Sequence, residues 1–300
     1  MGDRGAGVDV LVAGYASIDV VLRADASPAP GRQVLLSGPV APMPQFGGSG
    51  PIVSLVLAGL GIRTGLITWL GDDDLGRRYL ERLQAAGVET SGVAVGSGQS
   101  SPRRYLIHDP EGRPTILFHP SGSAALGLTE SGHSLLTTTR LLAVTQGPAP
   151  LTDALLTERP LGVGSAWHVK PDPDAYPAAL RRRLVQESVI VCLDRRDLPF
   201  VAEAVAIASD DAEAALDTLV EIRGGTFVAT AWGEGCTVAW PDGQARVPAE
   251  FVPAQDATGA GEIFFAAFLA ATLAGASPID AAAAATEAVR RGLAARNGRG

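Results

Sequence analysis

The chain has 300 residues, 46% of them hydrophobic, so it can bury a sizeable core and is not a disordered tail. Its 32 acidic and 24 basic residues give a formal net charge of −8, which excludes a broad electrostatic attraction to nucleic acid or to an anionic membrane.

The lysine content argues against three classes of enzyme that depend on an active-site lysine. The basic residues are 23 arginines and a single lysine, Lys170. A P-loop lysine, a protein-kinase strand lysine or a Schiff-base lysine would therefore have to be this residue. Its surroundings, His168-Val169-Lys170-Pro171, match none of those motifs. Both His168 and Lys170 follow a strand-like run. We expect them at the protein surface, and a contact with a ligand from this loop is the alternative.

Three features indicate the cellular compartment. The first ten residues contain no apolar stretch typical of a secretory signal. The longest apolar run, residues 263–276, is too short to span a bilayer. Cys192 and Cys236 lie in separate strand-like runs without metal-ligand spacing, so we expect two reduced thiols. The sequence thus predicts a soluble, cytoplasmic protein.

Strand-like runs alternate with helical patterns over most of the chain, which favours a largely parallel sheet covered by helices. We predict strands at residues 8–13, 64–70, 141–144, 162–167, 189–193 and 226–231. We predict helices at residues 51–60, 74–86, 174–186, 211–222, 258–274 and 278–295.

Two segments interrupt this alternation. Residues 20–43 are rich in Pro, Gly and Ser with short β-prone pieces, and residues 100–120 have the pattern of a hairpin around Pro110-Glu111-Gly112. We expect the two segments to form a small β-sheet lid apart from the main sheet.

Residues 255–262 (QDATGAGE) carry the clearest chemical signal, because small residues and an acid open directly into a long apolar helix. Thr258 can cap this helix, and the first-turn amides of Gly259, Ala260 and Gly261 can bind phosphate oxygens with the help of the helix dipole. Glu262 would repel an anion there, so its useful role is to accept a proton from an attacking hydroxyl. The same residues are also ordinary helix-start chemistry.

These residues belong to a wider pattern that resembles the ribokinase-like (PfkB) carbohydrate and nucleoside kinases over nearly the whole chain. The resemblance rests on residues 14–19 (GYASID), 46–50 (FGGSG), 70–76 (LGDDDLG), 83–88 (LQAAGV), 102, 112–114 (GRP) and 255–262 (QDATGAGE). It implies one domain over residues 1–300, a three-layer αβα sandwich with a β-sheet lid, and transfer of the γ-phosphoryl group of ATP to a hydroxymethyl group.

The resemblance also implies roles for individual residues. Glu262 would be the base, and the amides of Gly259, Ala260 and Gly261 would form the anion site. The other implied roles are acceptor binding by Asp19, Gly47 and Gly48; nucleotide binding by Thr230, Gly233, Gly235 and Thr258; Mg²⁺ binding by Asp194 and Asp197; and a monovalent-cation (K⁺) site at Asp256.

Four positions depart from the family pattern. Glu262 replaces the usual aspartate, Ile52 replaces a sugar-contacting asparagine, and the nucleotide loop at residues 230–235 is one residue short. The magnesium motif N-x-x-E appears as residues 194–197 (DRRD), whose arginines can instead pair with the two carboxylates.

The leading hypothesis is an ATP- and Mg²⁺-dependent sugar or nucleoside kinase. The alternative is a divergent member without ordinary kinase turnover, which binds a nucleotide or a phosphorylated sugar for regulation or another reaction. We expect a small-molecule acceptor and neither nucleic acid nor membrane as partner, and a homodimer through the lid stays open.

Overall fold

The computed structural model describes residues 7–39, 45–122, 127–208, 210–253 and 257–297. In chain order, the strands within those residues are β1 Val10–Ala13, β2 Ser17–Ala24, β3 Leu36–Pro39, β4 Gln45–Gly47, β5 Thr64–Gly71, β6 Val93–Gly96, β7 Arg103–His108, β8 Pro114–His119, β9 Leu141–Val144, β10 Gly164–His168, β11 Ile190–Asp194, β12 Thr226–Ala231, β13 Gly235–Trp240 and β14 Gly243–Pro248.

The larger sheet has nine strands within the described residues, in the order β14-β13-β12-β11-β10-β9-β1-β5-β6. The strands from β12 to β6 pair in parallel, and β13 and β14 add an antiparallel edge. Every residue of β1, β5 and β9 is buried, which explains why these strands are continuous apolar runs rather than alternating ones.

Helices cover both faces of this sheet. They are α1 Ser49–Gly59, α2 Asp74–Ala85, α3 Glu130–Thr138, α4 Ala149–Glu158, α5 Ala178–Glu187, α6 Leu198–Ala204, α7 Ala212–Arg223, α8 Ala260–Leu273 and α9 Pro278–Asn297. Leu11 and Ala13 of β1 belong to the core formed with α3 to α7, whereas Val10 and Val12 belong to the core formed with α1, α2, α8 and α9. The two cores make the three-layer αβα sandwich that the sequence predicts. Within the described residues, no helix is both long and apolar enough to cross a membrane.

The smaller sheet lies apart from the main one, in the order β3-β2-β7-β8 with β4 paired to β2. The predicted pairing of residues 20–43 with residues 100–120 is confirmed, because β2 and β7 run parallel with Asp19 opposite Arg104. The sheet also begins earlier than expected, at Ser17, and includes β4, while residues 40–43 lie outside the described residues.

Three helix starts differ from the prediction by two residues or more, and the first of them is α1, which begins at Ser49 rather than at residue 51. α5 begins at Ala178 rather than at residue 174, because the Asp172 carboxylate accepts the amides of Asp174 and Ala175 at 3.0 and 3.1 Å and holds a turn there. α8 begins at Ala260 rather than at residue 258.

Asp73 connects the start of α2 to Ser101, which lies two residues before β7 of the smaller sheet. Its Oδ1 accepts hydrogen bonds from the Gly76 amide at 2.7 Å and from the Ser101 hydroxyl at 2.8 Å, and its Oδ2 accepts the Ser101 amide at 2.9 Å. Desolvation acts to raise the pKa of Asp73, but these donors outweigh it and lower the pKa. The Asp73 carboxylate therefore caps α2 and also clamps Ser101 to the start of this helix.

We expect Asp73→Ala to lower the free energy of unfolding by about 2–3 kcal/mol, because a lost cap costs about 1 kcal/mol and each lost hydrogen bond about as much. Chemical denaturation measures this loss. Asp74→Ala is the matched control, because the adjacent Asp74 side chain is 86% exposed, and it should change stability by less than about 0.5 kcal/mol. Equal losses in the two variants would contradict the clamp.

Candidate active site

The N-terminus of α8 is built by glycine rather than by the predicted threonine cap. Gly259 occupies the N-cap position with a φ of 84°, a left-handed conformation that favours glycine. Thr258 directly precedes this N-cap residue and is not itself the N-cap. The Ala260 amide donates to the Ala257 carbonyl at 3.0 Å, so an anion would have to compete with this hydrogen bond. Anion binding by the amides of Gly259, Ala260 and Gly261 stays a prediction.

Glu262 lies in the first turn of α8 and is only 6% exposed. Its Oε1 accepts a hydrogen bond from the Ser49 hydroxyl at 2.7 Å and lies 3.6 Å from the Lys170 ammonium. Burial acts to raise the pKa of Glu262, but Lys170, His168 and Ser49 outweigh it and lower the pKa to about 2. Glu262 is therefore ionised at neutral pH although it is buried.

His168 and Lys170 lie near this carboxylate. The expected location of His168 at the protein surface is wrong, whereas Lys170 is partly exposed. His168 is the last residue of β10, is 4% exposed and stacks on Phe265 of α8 with ring centroids 5.1 Å apart. Burial and the nearby Lys170 charge lower the pKa of His168 to about 3, so the ring is neutral at pH 7. The Lys170 side chain is 38% exposed and half enclosed by the site.

A cavity of about 400 Å³ opens beside the start of α8. It brings together most of the residues that the sequence assigns to nucleotide, metal and phosphate binding. Gly233 and Gly235 have φ values of 75° and 104°, so the turn between β12 and β13 needs both glycines. The predicted residues that line the cavity are Asp194, Asp197, Thr230, Gly233, Gly235, Ala260 and Gly261.

The two carboxylates predicted to hold magnesium differ in their surroundings. The Arg196 guanidinium donates to both oxygens of Asp194, at 2.8 and 2.9 Å. Asp197 forms no ion pair within the described chain, and partial burial raises its pKa. Mg²⁺ commonly uses one or two carboxylates and takes its other ligands from water and phosphates. Asp197 fits such a site as it stands, and Asp194 fits it once Arg196 moves.

Asp19, Gly47 and Gly48 form a second group of predicted site residues. A Cβ atom on Gly47 would stand 2.2 Å from Asp19 Oδ2, and one on Gly48 would stand 2.2 Å from the Tyr15 carbonyl oxygen. The chain therefore needs glycine at both positions. Ser49 follows directly and connects this group to Glu262.

Arg104 holds Asp19, a contact that the sequence analysis did not find. Its Nε donates to Asp19 Oδ1 at 3.2 Å, and its terminal nitrogen pairs with Oδ2. Ser17 also donates to Oδ1, at 2.6 Å. No local sequence signal links these residues, because β2 and β7 pair across a long stretch of chain. The cavity does not include Asp19.

Six predicted site residues do not line the cavity: Glu262, Gly259, Thr258, Asp19, Gly47 and Gly48. Asp256 lies outside the described residues. Thr258 directly precedes the N-cap of α8, and it does not line the cavity.

Comparison with known proteins agrees with this architecture. The model of the pfkB family of carbohydrate kinases matches residues 9–289, so the chain belongs to that family. The chain is 28% identical over 267 residues to an ATP-dependent ribose-1-phosphate kinase from Halopiger xanaduensis, covering 89% of this chain and 85% of that protein. It is 23% identical over 270 residues to a nucleoside kinase from Methanothermobacter thermautotrophicus, with 89% and 84% covered.

The fold is also found among solved structures. Ribokinase from Thermotoga maritima superposes with a TM-score of 0.80 over 94% of this chain and 91% of that one, at 21% identity. The ribokinase-like fold that the sequence predicts is therefore confirmed. Membership of the family makes the protein a phosphotransferase with an alcohol acceptor.

The neutral His168 makes stability depend on pH. Below about pH 6.5 the unfolded chain takes up a proton that folded His168 does not bind until about pH 3. The free energy of unfolding should therefore fall with acidification across this window, by at most about 1.4 kcal/mol per pH unit from this group.

His168→Phe keeps an aromatic ring on Phe265 and removes the titrating group. Urea denaturation should give a shallower loss of stability in this variant than in the wild type between about pH 4.5 and 6.5. Above about pH 7 the two proteins should have parallel profiles, which serves as the internal control. Parallel profiles across the acidic window as well would contradict a buried, neutral His168.

Proposed function

We propose that the protein is an ATP-dependent kinase that transfers the γ-phosphoryl group to a hydroxymethyl group of a sugar or nucleoside. The observation that carries this proposal is the ionised, buried Glu262 in the first turn of α8. Its neighbour Gly261 lines the cavity, and Ser49, which follows Gly48, donates a hydrogen bond to Glu262.

The cavity supports the donor side of the reaction. The turn with Gly233 and Gly235 allows the chain to approach a nucleotide closely, and Thr230 precedes it on β12. Trp232 and Phe251 are large, exposed aromatic residues at the cavity, against which a purine base can stack. The N-terminus of α8 then faces the phosphates, where its dipole and the amides of Gly259 and Gly261 favour negative charge.

The second sheet supports the acceptor side. The buried Asp19 carboxylate can accept hydrogen bonds from sugar hydroxyls, and Arg104 beside it can donate to them. Gly47 and Gly48 let the chain before α1 pack closely against Asp19 and the Tyr15 carbonyl group. The names of the relatives, a ribose-1-phosphate kinase and a nucleoside kinase, support a ribose-containing acceptor.

In the transfer step, Glu262 accepts the proton of the acceptor hydroxyl while the hydroxyl oxygen forms a bond to the γ-phosphorus. The bond from that phosphorus to the β–γ bridging oxygen breaks, and ADP leaves with the electron pair. Ser49 orients the carboxylate through its hydrogen bond to Oε1. The amides of Gly259 and Gly261 stabilise the charge that develops on the phosphoryl oxygens.

Metal ions complete the proposal. Asp197, and Asp194 after release from Arg196, would hold Mg²⁺ together with phosphate oxygens, and the ion would neutralise part of the phosphate charge. The K⁺ site at Asp256 stays a prediction from the family resemblance.

Three further expectations also stay predictions. They are a single working domain over residues 1–300, a cytoplasmic location, where ATP is available, and a homodimer through the second sheet. Ile116, Leu117 and Phe118 on β8 are exposed apolar side chains that such an interface could cover.

The function is tested by ADP formation from ATP and Mg²⁺ across a panel of sugars, sugar phosphates and nucleosides. We expect turnover with at least one ribose-containing acceptor above the rate of ATP hydrolysis without acceptor. Nucleotide binding without turnover on any acceptor would instead support the alternative, a family member that has lost ordinary kinase activity.

Glu262→Gln keeps the shape of the side chain but cannot accept the proton. We expect kcat to fall by about 100- to 10,000-fold with nucleotide affinity retained, whereas Glu262→Asp should keep measurable turnover on a shorter side chain. Glu213→Gln is the matched control, because Glu213 is an exposed first-turn glutamate of α7. Equal rates for Glu262→Gln and the wild type would remove Glu262 from catalysis.

Asp19→Asn tests the acceptor site. We expect acceptor affinity to fall by about 1.5–3 kcal/mol, because hydrogen bonds to a charged group are worth this much, while nucleotide affinity stays the same. Asp25→Asn in the same strand region is the control, since its side chain binds only the exposed Leu35 amide among the described residues. An unchanged KM for the acceptor in Asp19→Asn would place the acceptor elsewhere.

A further inference from the structure

Lys170 carries a positive charge, and the N–H donors of its ammonium group are unused within the described residues. An ammonium group has three N–H donors. In the described part of the chain, Lys170 forms an ion pair with Glu262 at 3.6 Å but donates no hydrogen bond. Its side chain is 38% exposed and lines the cavity. The donors therefore face the space in which a ligand would lie.

The Lys170 side chain lies close to the start of α8. A Cβ atom on Gly261 would stand 3.6 Å from Lys170 Nζ and 3.3 Å from His168 Nε2. His168 is buried, and its Nδ1 has no hydrogen-bond partner among the described residues. The ammonium and the imidazole thus close over the first turn of α8, where the helix dipole also favours an anion.

The other cations at the cavity are already engaged. Arg196 donates to both oxygens of Asp194, and Arg290 donates to Glu287 at 2.6 and 2.8 Å. Among the described residues that line the cavity, Lys170 is thus the cation without a hydrogen-bonded carboxylate. It also lies close enough to Asp194 and Asp197 to act on the pKa of both.

We propose that Lys170 is a further catalytic residue, which leaves Glu262 when the nucleotide binds and donates hydrogen bonds to the oxygens of the γ-phosphoryl group. This inference rests on the proposed phosphoryl transfer and assigns a contact within it. Lys170 stays protonated throughout, so no proton or bond is exchanged at Nζ. The hydroxyl proton still goes to Glu262.

The move of Lys170 from Glu262 to the γ-phosphate links nucleotide binding to the basicity of Glu262. Burial acts to raise the pKa of Glu262 and Lys170 acts to lower it. When the ammonium moves to the phosphate, Glu262 loses its main counter-charge and becomes a stronger base. The carboxylate is therefore a poor proton acceptor until the phosphoryl donor is present.

The test compares nucleotides that differ in the γ-phosphate. Calorimetric titration with ADP and with the non-hydrolysable analogue AMP-PNP, both with Mg²⁺, needs no knowledge of the acceptor. We expect Lys170→Gln to weaken AMP-PNP binding by about 10- to 100-fold and ADP binding by far less. Lys170→Arg, which keeps the charge, should recover part of the loss. Arg77→Gln on α2 serves as a control for the loss of an exposed cation.

A second comparison separates a phosphate contact from a role through Glu262. In a Glu262→Gln background the carboxylate is gone, so Lys170 can no longer act by balancing its charge. We expect Glu262→Gln to keep its preference for AMP-PNP over ADP and the Lys170→Gln/Glu262→Gln double variant to lose it. The double variant contains no uncompensated charge at this position, so it should fold even if Lys170→Gln alone does not.

The outcomes distinguish this inference from the proposed function. If the wild type binds neither nucleotide, the function and the role of Lys170 both fail. If the wild type prefers AMP-PNP and the double variant keeps that preference, the function stands and the role of Lys170 is overturned. With an acceptor in hand, kcat of Lys170→Gln should fall by about 100- to 1,000-fold, as on loss of one donor to a transition-state oxygen.

Discussion

The negative charge of Glu262 is the constraint on which the site depends. A carboxylate that is buried without compensation costs several kcal/mol, so the fold must supply partners for it. The partners come from three places: Ser49 at the start of α1, Lys170 after β10, and the first turn of α8 itself. One buried charge thereby fixes the mutual position of two helix N-termini and the end of a central strand.

The same principle recurs at two other carboxylates with predicted binding roles. Asp19 is held by Arg104, and Asp194 is held by Arg196. Each acid thus carries an internal cation in the ligand-free molecule. A ligand at either position must compete with an existing ion pair, so the net gain of binding is smaller than the new contacts alone would suggest. Such a site favours ligands that satisfy the acid and its arginine together.

Much of the fold could be predicted from the sequence, because periodic patterns report local structure and burial. The continuous apolar runs of β5 and β9 and the helical pattern of α2 belong to this group. The structure also gives a physical reason for the GDDDLG motif at residues 71–76. A Cβ atom on Gly71 would stand 2.2 Å from the Gln99 carbonyl oxygen, and Asp73 clamps Ser101. Gly71 and Asp73 thus position the segment that leads into β7.

The contacts between distant charges could not be predicted in this way. Nothing in the local sequence pairs Lys170 with Glu262 or Arg104 with Asp19, because each pair is formed by strand order and not by spacing along the chain. His168 was misplaced for a related reason. Alternation along β10 shows which face a residue occupies, but only the packing of Phe265 from α8 determines that this face is closed.

The scarcity of lysine has a chemical consequence. Primary amines are the targets of acylating agents, aldehydes and cyanate, and this chain offers such reagents its α-amino group and Lys170, whereas its other basic side chains are guanidinium groups. Acylation of Lys170 would abolish the charge that balances Glu262 and leave a buried carboxylate without its counter-ion. In most proteins amine modification is spread over many surface lysines, but here every lysine modification would fall on one position beside Glu262.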